Sequence, residues 1–364
     1  MFIPPGLWII KMGIQRRWLF CRTPLDFPLA LYSLVVVLSL VTAVDFRYSL
    51  EEVVGEWAAG MLLFYTVVNN FREEHMKYLL GALLLGNLLM IAVGIWEFFA
   101  FGAFLSGYAF RMRSLHSGFG TFSTYLITVL SYLSLALFYL RKPRQSLALG
   151  TLLVLNLFAL YLTRSRGAWI AVVALVVGIG WIFFSHKKFL LLAGLTALGL
   201  FSLFSSSELM RHYTSFKAPS GLESKIETAQ ARLVLTKFVV KKIWENPFQM
   251  LGFGQRSFVK KYPDIYLQYK GAQLWHAHNV FLDIAVQMGL QGLAFFLFFL
   301  YKLLKYYYER SKQELLPLKR YYLLATLLMV IILFTRCFSD DFFIDDSALL
   351  FWFLTGLALV LEKR

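Results

Sequence analysis

Ten apolar runs, most of them near the twenty residues that carry a helix across a bilayer, fix what this chain can become. They fall at about 27–44, 53–69, 78–101, 119–140, 146–163, 167–184, 189–205, 278–300, 321–338 and 347–361. In lipid the backbone groups of such a run must pair among themselves, which a helix does. Composition agrees, since only 16% of residues are charged against about a quarter in soluble domains. The chain is 59% hydrophobic, and its mean hydropathy is +0.63. We expect an all-α polytopic membrane protein with about ten transmembrane helices, residues 1–364 forming one membrane-embedded domain. Residues 1–22 hold a short apolar piece, Phe2 to Ile10, followed by Lys11, Arg16 and Arg17. This reads as an interfacial segment, and the lack of a small-residue cleavage site argues against a cleaved signal.

The net charge is +15. In a soluble protein that would suggest nucleic acid. Here it suggests cytoplasmic anchoring of the loops, together with a cationic pocket for an anionic substrate. With the N-terminus in the cytoplasm, cytoplasmic segments hold 19 Lys and Arg and short outer loops hold 6. The other 11 lie in the long loop 206–277, and long loops translocate whatever their charge. Both termini are therefore expected in the cytoplasm. Within the long loop, Ala231 to Trp244 spaces Leu235, Phe238, Val239 and Ile243 as an amphipathic helix does. Asn246-Pro247 ends it, and Gly252-Phe253-Gly254 makes a tight turn.

Ionisable groups in spanning segments are costly and mark functional sites. In this orientation Glu56, Glu97, Asp283 and Arg336 fall in the outer half, and Arg111, Arg113, Arg164 and Arg166 occupy short outer loops. The expectation is one outward-facing polar cavity; helix-end anchors and unrelated ion pairs are the plainer alternative. Arg164-Ser165-Arg166-Gly167 sits in a minimal turn, with Gly167 permitting the sharp bend and the guanidinium forks suited to phosphate oxygens. Snorkelling arginines would look the same.

Trp275-His276-Ala277-His278-Asn279 precedes the run that contains Asp283, Gly289 and Gly292. On one continuous helix, His278, Leu282, Ala285, Gly289 and Gly292 share a stripe, where small residues admit a close neighbour. That would fix His278 as a general base needs, although a His-Asn pair that merely caps the helix fits the spacing too. His276 and His278, two apart, would point to opposite faces of a strand and suit a shared metal poorly. No cysteine pair or HExxH motif supports zinc, and no metal or other cofactor is expected. Cys21 and Cys337 are too far apart in the chain to suggest a disulfide. A nucleophile-elbow motif for Ser-His-Asp hydrolysis is missing. The acidic run Asp340, Asp341, Asp345 and Asp346 reads as a solvated loop.

These residues resemble the O-antigen ligase (WaaL) and O-antigen polymerase (Wzy) superfamily. His278-Asn279, nine residues, Gly289, two residues and Gly292 carry the pattern. Thr163-Arg164-Ser165-Arg166-Gly167-Ala168 is similar to the family's Ser-Arg-Gly turn. Arg232, Trp244, Pro247 and Gly252-Phe253-Gly254 are similar to its long periplasmic loop, where an arginine opens a helix and Pro then Gly-x-Gly closes it. The stretch from Thr23-Pro24-Leu25-Asp26 to Ser49-Leu50 adds to the likeness, which covers roughly residues 23–360. The family usually has about a dozen spans; against the ten counted above, the expectation is that the first hairpin is lacking.

The resemblance implies a GT-C-like membrane glycosyltransferase of lipopolysaccharide biosynthesis in a bacterial inner membrane, with a periplasmic active site. Its donor would be a glycan on undecaprenyl pyrophosphate, and its acceptor a lipid A-core hydroxyl. The transfer would be inverting and metal-independent. By the same carry-over His278 would be the catalytic base, with Arg166, Arg232 and Arg164 on the donor pyrophosphate. Asn279, Asp283, His276, Gly289 and Gly292 would support the site. Polymerase and O-linked protein glycosyltransferase activities share these residues and differ in acceptor. A secondary transporter would need broken helices in two symmetric halves, and the sequence shows no such symmetry.

Overall fold

A computed structural model describes residues 3–18, 20–102, 111–139, 142–183, 220–264, 276–338 and 345–361. Every regular element among them is helical. Besides a 3-10 turn (Glu73–His75) and a short second π-helical piece (Phe98–Gly102), these are in chain order α1 (Ile3–Gln15), α2 (Asp26–Leu38), α3 (Phe46–Glu52), a π-helical stretch (Val53–Ala58), α4 (Ala59–Asn70) and α5 (Met76–Glu97). There follow α6 (Phe119–Tyr139), α7 (Pro143–Thr163), α8 (Arg166–Phe183), α9 (Ser220–Glu245), α10 (Ser257–Lys261), α11 (Val280–Gln313), α12 (Pro317–Arg336) and α13 (Asp345–Val360).

Six of the helical segments are long and apolar enough to cross a membrane: Glu73–Ala100, Phe119–Tyr139, Pro143–Thr163, Arg166–Phe183, Val280–Gln313 and Pro317–Arg336. Asp26–Leu38 and Asp346–Val360 are shorter and equally apolar in character. The chain is therefore a multi-pass membrane protein. The expected run 189–205 lies outside the described residues, as do 206–219, 265–275 and the acidic residues Asp340 and Asp341. The expected run 53–69 is a composite, in which the π-helical stretch leads directly into α4. α1 has 13 residues, too few to cross at 1.5 Å per residue. It rests on α4, with Lys11 Nζ donating to Asn70 at 3.1 Å and Trp8 buried.

α12 and α6 form the centre, and α11, α8 and α7 pack around them. Buried hydroxyl and amide contacts link the helices where apolar contact alone gives no preference over lipid. Tyr321 donates to the Tyr132 carbonyl at 3.0 Å, Tyr132 meets the Thr326 hydroxyl at 2.8 Å, and Tyr307 donates to the Thr355 carbonyl at 2.6 Å. Asn156 reaches Asn87 at 3.2 Å between α7 and α5. On the outside, Leu85, Leu89, Leu147 and Val154 are exposed, as lipid-facing positions should be.

α11 is not the continuous helix that a stripe from His278 to Gly292 requires. Gly289 has φ 71° and ψ 178° and breaks it. An L side chain rarely adopts that backbone conformation, so glycine is needed there. The break uncouples backbone groups that a loop then satisfies. The Leu251 and Gly252 amides donate to the Gln287 carbonyl at 3.0 and 3.1 Å, and the Leu290 amide donates to the Pro247 carbonyl at 2.8 Å. Gln291 Nε2 reaches the Phe248 carbonyl at 3.1 Å. Gly252 and Gly254, at φ 99° and 116°, turn the loop there. The Pro247 to Gly254 motif and the Gly289 motif are thus two halves of one junction. At Gly292 a Cβ would collide with Met288 of the same helix, while Val35 of α2, 3.5 Å away, is at ordinary contact distance, so this glycine serves the kink and not a close approach of helices.

Candidate functional site

The arginine turn begins where α7 ends. Arg164 itself takes the left-handed conformation, φ 52° and ψ 30°, and its amide donates to the Tyr161 carbonyl at 3.0 Å. Gly167 is not the hinge: it lies inside the first turn of α8 and has no positive φ. The turn presents Arg164 and Arg166 to solvent and buries Ser165 between them. A buried arginine from α12 braces it from behind. Arg336 donates to Ser165 Oγ at 3.2 Å, Thr124 Oγ1 at 2.8 Å and the Gly120 carbonyl at 3.2 Å. Arg336 therefore ties the turn to the start of α6.

Arg111 joins the turn through its neighbour, whose amide donates to the Leu162 carbonyl at 3.2 Å. The Arg111 guanidinium lies 4.4 Å from the Phe119 ring centre. Its pKa is pulled below the ordinary arginine value by burial first, then by the charges of Arg164, Arg166 and Arg232. The charges of three guanidinium groups from two further segments thus reach Arg111. Arg232 arrives on α9, which begins at Ser220, so Arg232 lies within this helix and does not open it. One turn on, Leu235 and Val239 bury against Leu251, Phe258, Ala277 and Val286. That packing seats α9 between the loop and the histidine motif, and Trp244 at the helix end stays exposed.

At that motif, Asn279 caps α11, its side-chain oxygen accepting from the Phe281 and Leu282 amides at 3.0 and 3.2 Å. His278 precedes the cap at φ 52°, a conformation uncommon outside glycine and worth noting at a site. It therefore lies off the helix, and the stripe drawn through it does not exist. His276 is buried, with Nδ1 at 3.0 Å from Asp283 Oδ2. The other Asp283 oxygen accepts from the Ala277 amide at 2.7 Å. The His278 amide lies 3.1 Å from His276 Nδ1. The two rings do not diverge as strand geometry would have them. Their centres are 4.1 Å apart, because the left-handed residue folds the segment back on itself. Carboxylate, buried imidazole and outer imidazole form one connected unit.

Residues 336–338 join the two halves. The Val280 amide donates to the Cys337 carbonyl at 3.1 Å, and Asn279 Nδ2 reaches the Phe338 carbonyl at 3.4 Å. The adjacent Arg336 holds Ser165. The other outer charges separate. Glu97 pairs with Arg113 at 3.2 Å, an ion pair of the ordinary kind. Glu56 instead shares a cavity with Asp283. Spacing gave no sign of Gln287 or Trp57, which line that cavity, nor of the bracing role of Arg336.

Residues 151–297 match the family model Wzy_C, described as O-antigen ligase. A protein of Rickettsia bellii named as a polysaccharide ligase is 28% identical over 254 residues, which are 66% of this chain and 58% of that relative. A protein of the same description in Rickettsia typhi is 26% identical, over 67% of this chain and 60% of its own length. The alignments thus span about three fifths of these two relatives. An O-antigen ligase of Salmonella typhimurium is 23% identical over 79% of this chain and 74% of the relative. The resemblance to the O-antigen ligase and polymerase superfamily, read first from motifs, stands on these matches.

Proposed function

We propose that this relative of the O-antigen ligases transfers a glycan from undecaprenyl pyrophosphate to a lipid A-core hydroxyl, at the periplasmic face of a bacterial inner membrane. Both termini then lie in the cytoplasm. The observation that carries the reading is the joining of the histidine motif to the arginine turn through Arg336, Cys337 and Phe338. It brings a base and a cationic cluster within one construction, as this chemistry requires.

The donor is an anion on a lipid tail. Arg164, Arg166 and Arg232 bind its diphosphate, with Arg111 completing the cluster. As the anomeric C–O bond breaks, negative charge grows on the leaving diphosphate. Fixed guanidinium groups stabilise that charge as it develops. The acceptor hydroxyl attacks the anomeric carbon from the opposite side, inverting it, and gives its proton to His278. His276, held by Asp283, positions His278 through the contact of their rings. Asn279 fixes the start of α11.

The test is to incubate the purified protein with a lipid pyrophosphate-linked glycan and one of three acceptors: lipid A-core, a second lipid-linked glycan, or a periplasmic protein. Mass gain on lipid A-core is the expected result. Gain only on the second lipid-linked glycan makes the chain a polymerase, and gain only on protein makes it an O-linked protein glycosyltransferase. No gain on any acceptor refutes the transfer reading.

A further inference from the structure

Helix α9 carries two apolar stripes, and the protein packs only one of them. Leu235 and Val239 face inward. Leu233, Val240 and Trp244 recur at helical spacing on the opposite side. Leu233 and Trp244 are 57% and 75% exposed, and Phe248, just past the helix end, is 71% exposed. Large apolar groups gathered at the surface mark an interaction face.

The hydrogen bonds of this segment give its depth. The carbonyls of Pro247 and Phe248 accept from Leu290 and Gln291 of α11. Twelve residues separate Leu290 from Lys302, which with Lys305 marks the cationic end of that span. At 1.5 Å per residue they cover about 18 Å, against roughly 30 Å of hydrocarbon in a bilayer. Tilt only shortens that reach. Pro247 and Phe248 therefore lie within the thickness of the membrane. Irregular backbone at that depth needs protein partners for its polar groups, and 246–252 has them. Besides the bonds to α11, the Asn246 amide donates to the Lys242 carbonyl and the Gln249 amide to the Asn246 carbonyl, each at 3.2 Å. The Thr42 hydroxyl donates to the Met250 carbonyl at 3.0 Å. That bond brings the end of α2 alongside, where Val37, Leu38 and Val41 are exposed, as Leu297 is on α11. The surface of Trp244 and Phe248 thus continues the lipid-facing surface of two apolar helices.

We propose that residues 244–248 dip into the bilayer leaflet on the side of the histidine motif, with Trp244 and Phe248 seated where headgroups meet acyl chains. An indole suits that boundary, being apolar in body and polar at its N–H. Lys237 is exposed within the outward stripe, and its stem lies along the apolar layer while its ammonium reaches lipid phosphates. Asn246 and Gln249, also exposed, stay in the polar layer. The bilayer then holds the far end of the helix that carries Arg232, which lies twelve residues before Trp244, about 18 Å along the axis. That this tether sets the level at which Arg232 meets a lipid diphosphate rests on the transfer reading above; the seating in lipid does not.

The test is tryptophan fluorescence of the full chain in nanodiscs of phosphatidylcholine, plain or brominated near the top of its acyl chains. The emission that Trp244→Phe removes belongs to Trp244. The emission that Phe248→Trp adds to the Trp244→Phe protein reports position 248. These exchanges of one ring for another keep the apolar surface, and thermal melting checks that each variant folds. Brominated lipid should cut each of the two emissions by about twofold or more, and acrylamide in the water should cut them less. Stronger quenching by acrylamide than by bromine overturns the proposal, because the rings then stand in water. Quenching by neither overturns it too, because a protein surface, a second copy included, then covers them. Lipid seating in a protein that transfers no glycan sinks only the enzymatic reading. Glycan transfer by a protein whose rings at 244 and 248 meet no bromine sinks only the lipid seating.

Discussion

Asp283→Asn isolates the connection between the carboxylate and the two histidines. The two shapes are nearly the same, so packing is conserved. The Ala277 amide, 2.7 Å from Oδ1, keeps the amide oxygen of the new side chain on its side. The new NH2 then faces His276 Nδ1 across the 3.0 Å contact. With Asp283 ionised, its carboxylate accepts from Nδ1–H, which leaves the lone pair on Nε2 and means that Nδ1 does not also accept from the His278 amide 3.1 Å away. In the variant the NH2 must donate, so Nδ1 gives up its proton and the imidazole changes tautomer. A charge-assisted hydrogen bond becomes a neutral one, a loss of about 1 kcal/mol. The melting temperature should fall by only a few degrees. Turnover should fall much further, because His278 leans on the His276 ring at 4.1 Å and a small misplacement of a reacting group costs on the order of 10²-fold. The assay is glycan transfer under saturating donor, beside a melting curve in detergent. Turnover within about twofold of wild type, in a protein whose His276 tautomer has changed by 15N NMR, would refute the positioning role.

Four further outcomes follow from the same geometry. His278→Ala should abolish transfer and leave the protein folded in the membrane, and retained transfer removes its role as base. Arg166→Ala and Arg232→Ala should each raise the donor KM roughly tenfold or more, and unchanged donor kinetics would count against the diphosphate pocket. Gly289→Ala forces a side chain onto a backbone at φ 71° and against Gln291. It should cost about 1–3 kcal/mol and speed hydrogen exchange in 247–254, and a stability equal to wild type would contradict it. Burial holds the His116 imidazole below the ordinary 6.5, against the opposing pull of Asp346. The unfolded segment therefore takes up a proton that the folded one resists, and stability is lost as pH falls through the window just below 6.5. His116→Phe, between Phe122 and Tyr125, should lessen that loss, and an unaltered pH profile of melting refutes it.

The class of fold was legible because long apolar runs leave a chain few choices. The amphipathic helix around Leu235 and Val239 was legible for the same reason, as was the Gly252 to Gly254 turn. Bounds suffered where a signal was local. Gly167 looked like the hinge because glycine permits bending, yet Arg164 takes the left-handed conformation with a Tyr161 carbonyl to receive its amide. Helical periodicity carried a stripe straight through Gly289, since apolar spacing cannot register a single reversed φ. The pairing of His276 with Asp283 spans seven residues and a folded-back turn, which no repeat describes. Arg336 was legible as a misplaced charge, but the hydroxyl and carbonyl oxygens it meets at 120, 124 and 165 carry no charge that spacing could single out.

The Gly289 junction has a consequence for how the molecule assembles. Until residues 247–252 arrive, the carbonyl at 287 and the amide at 290 have no partners in place, and near lipid that is a state the chain cannot hold cheaply. The kink and the docking of the loop therefore depend on each other. Bending of α11, docking of the loop and seating of the histidines are thereby coupled, so a change at any one of the three should disturb the other two.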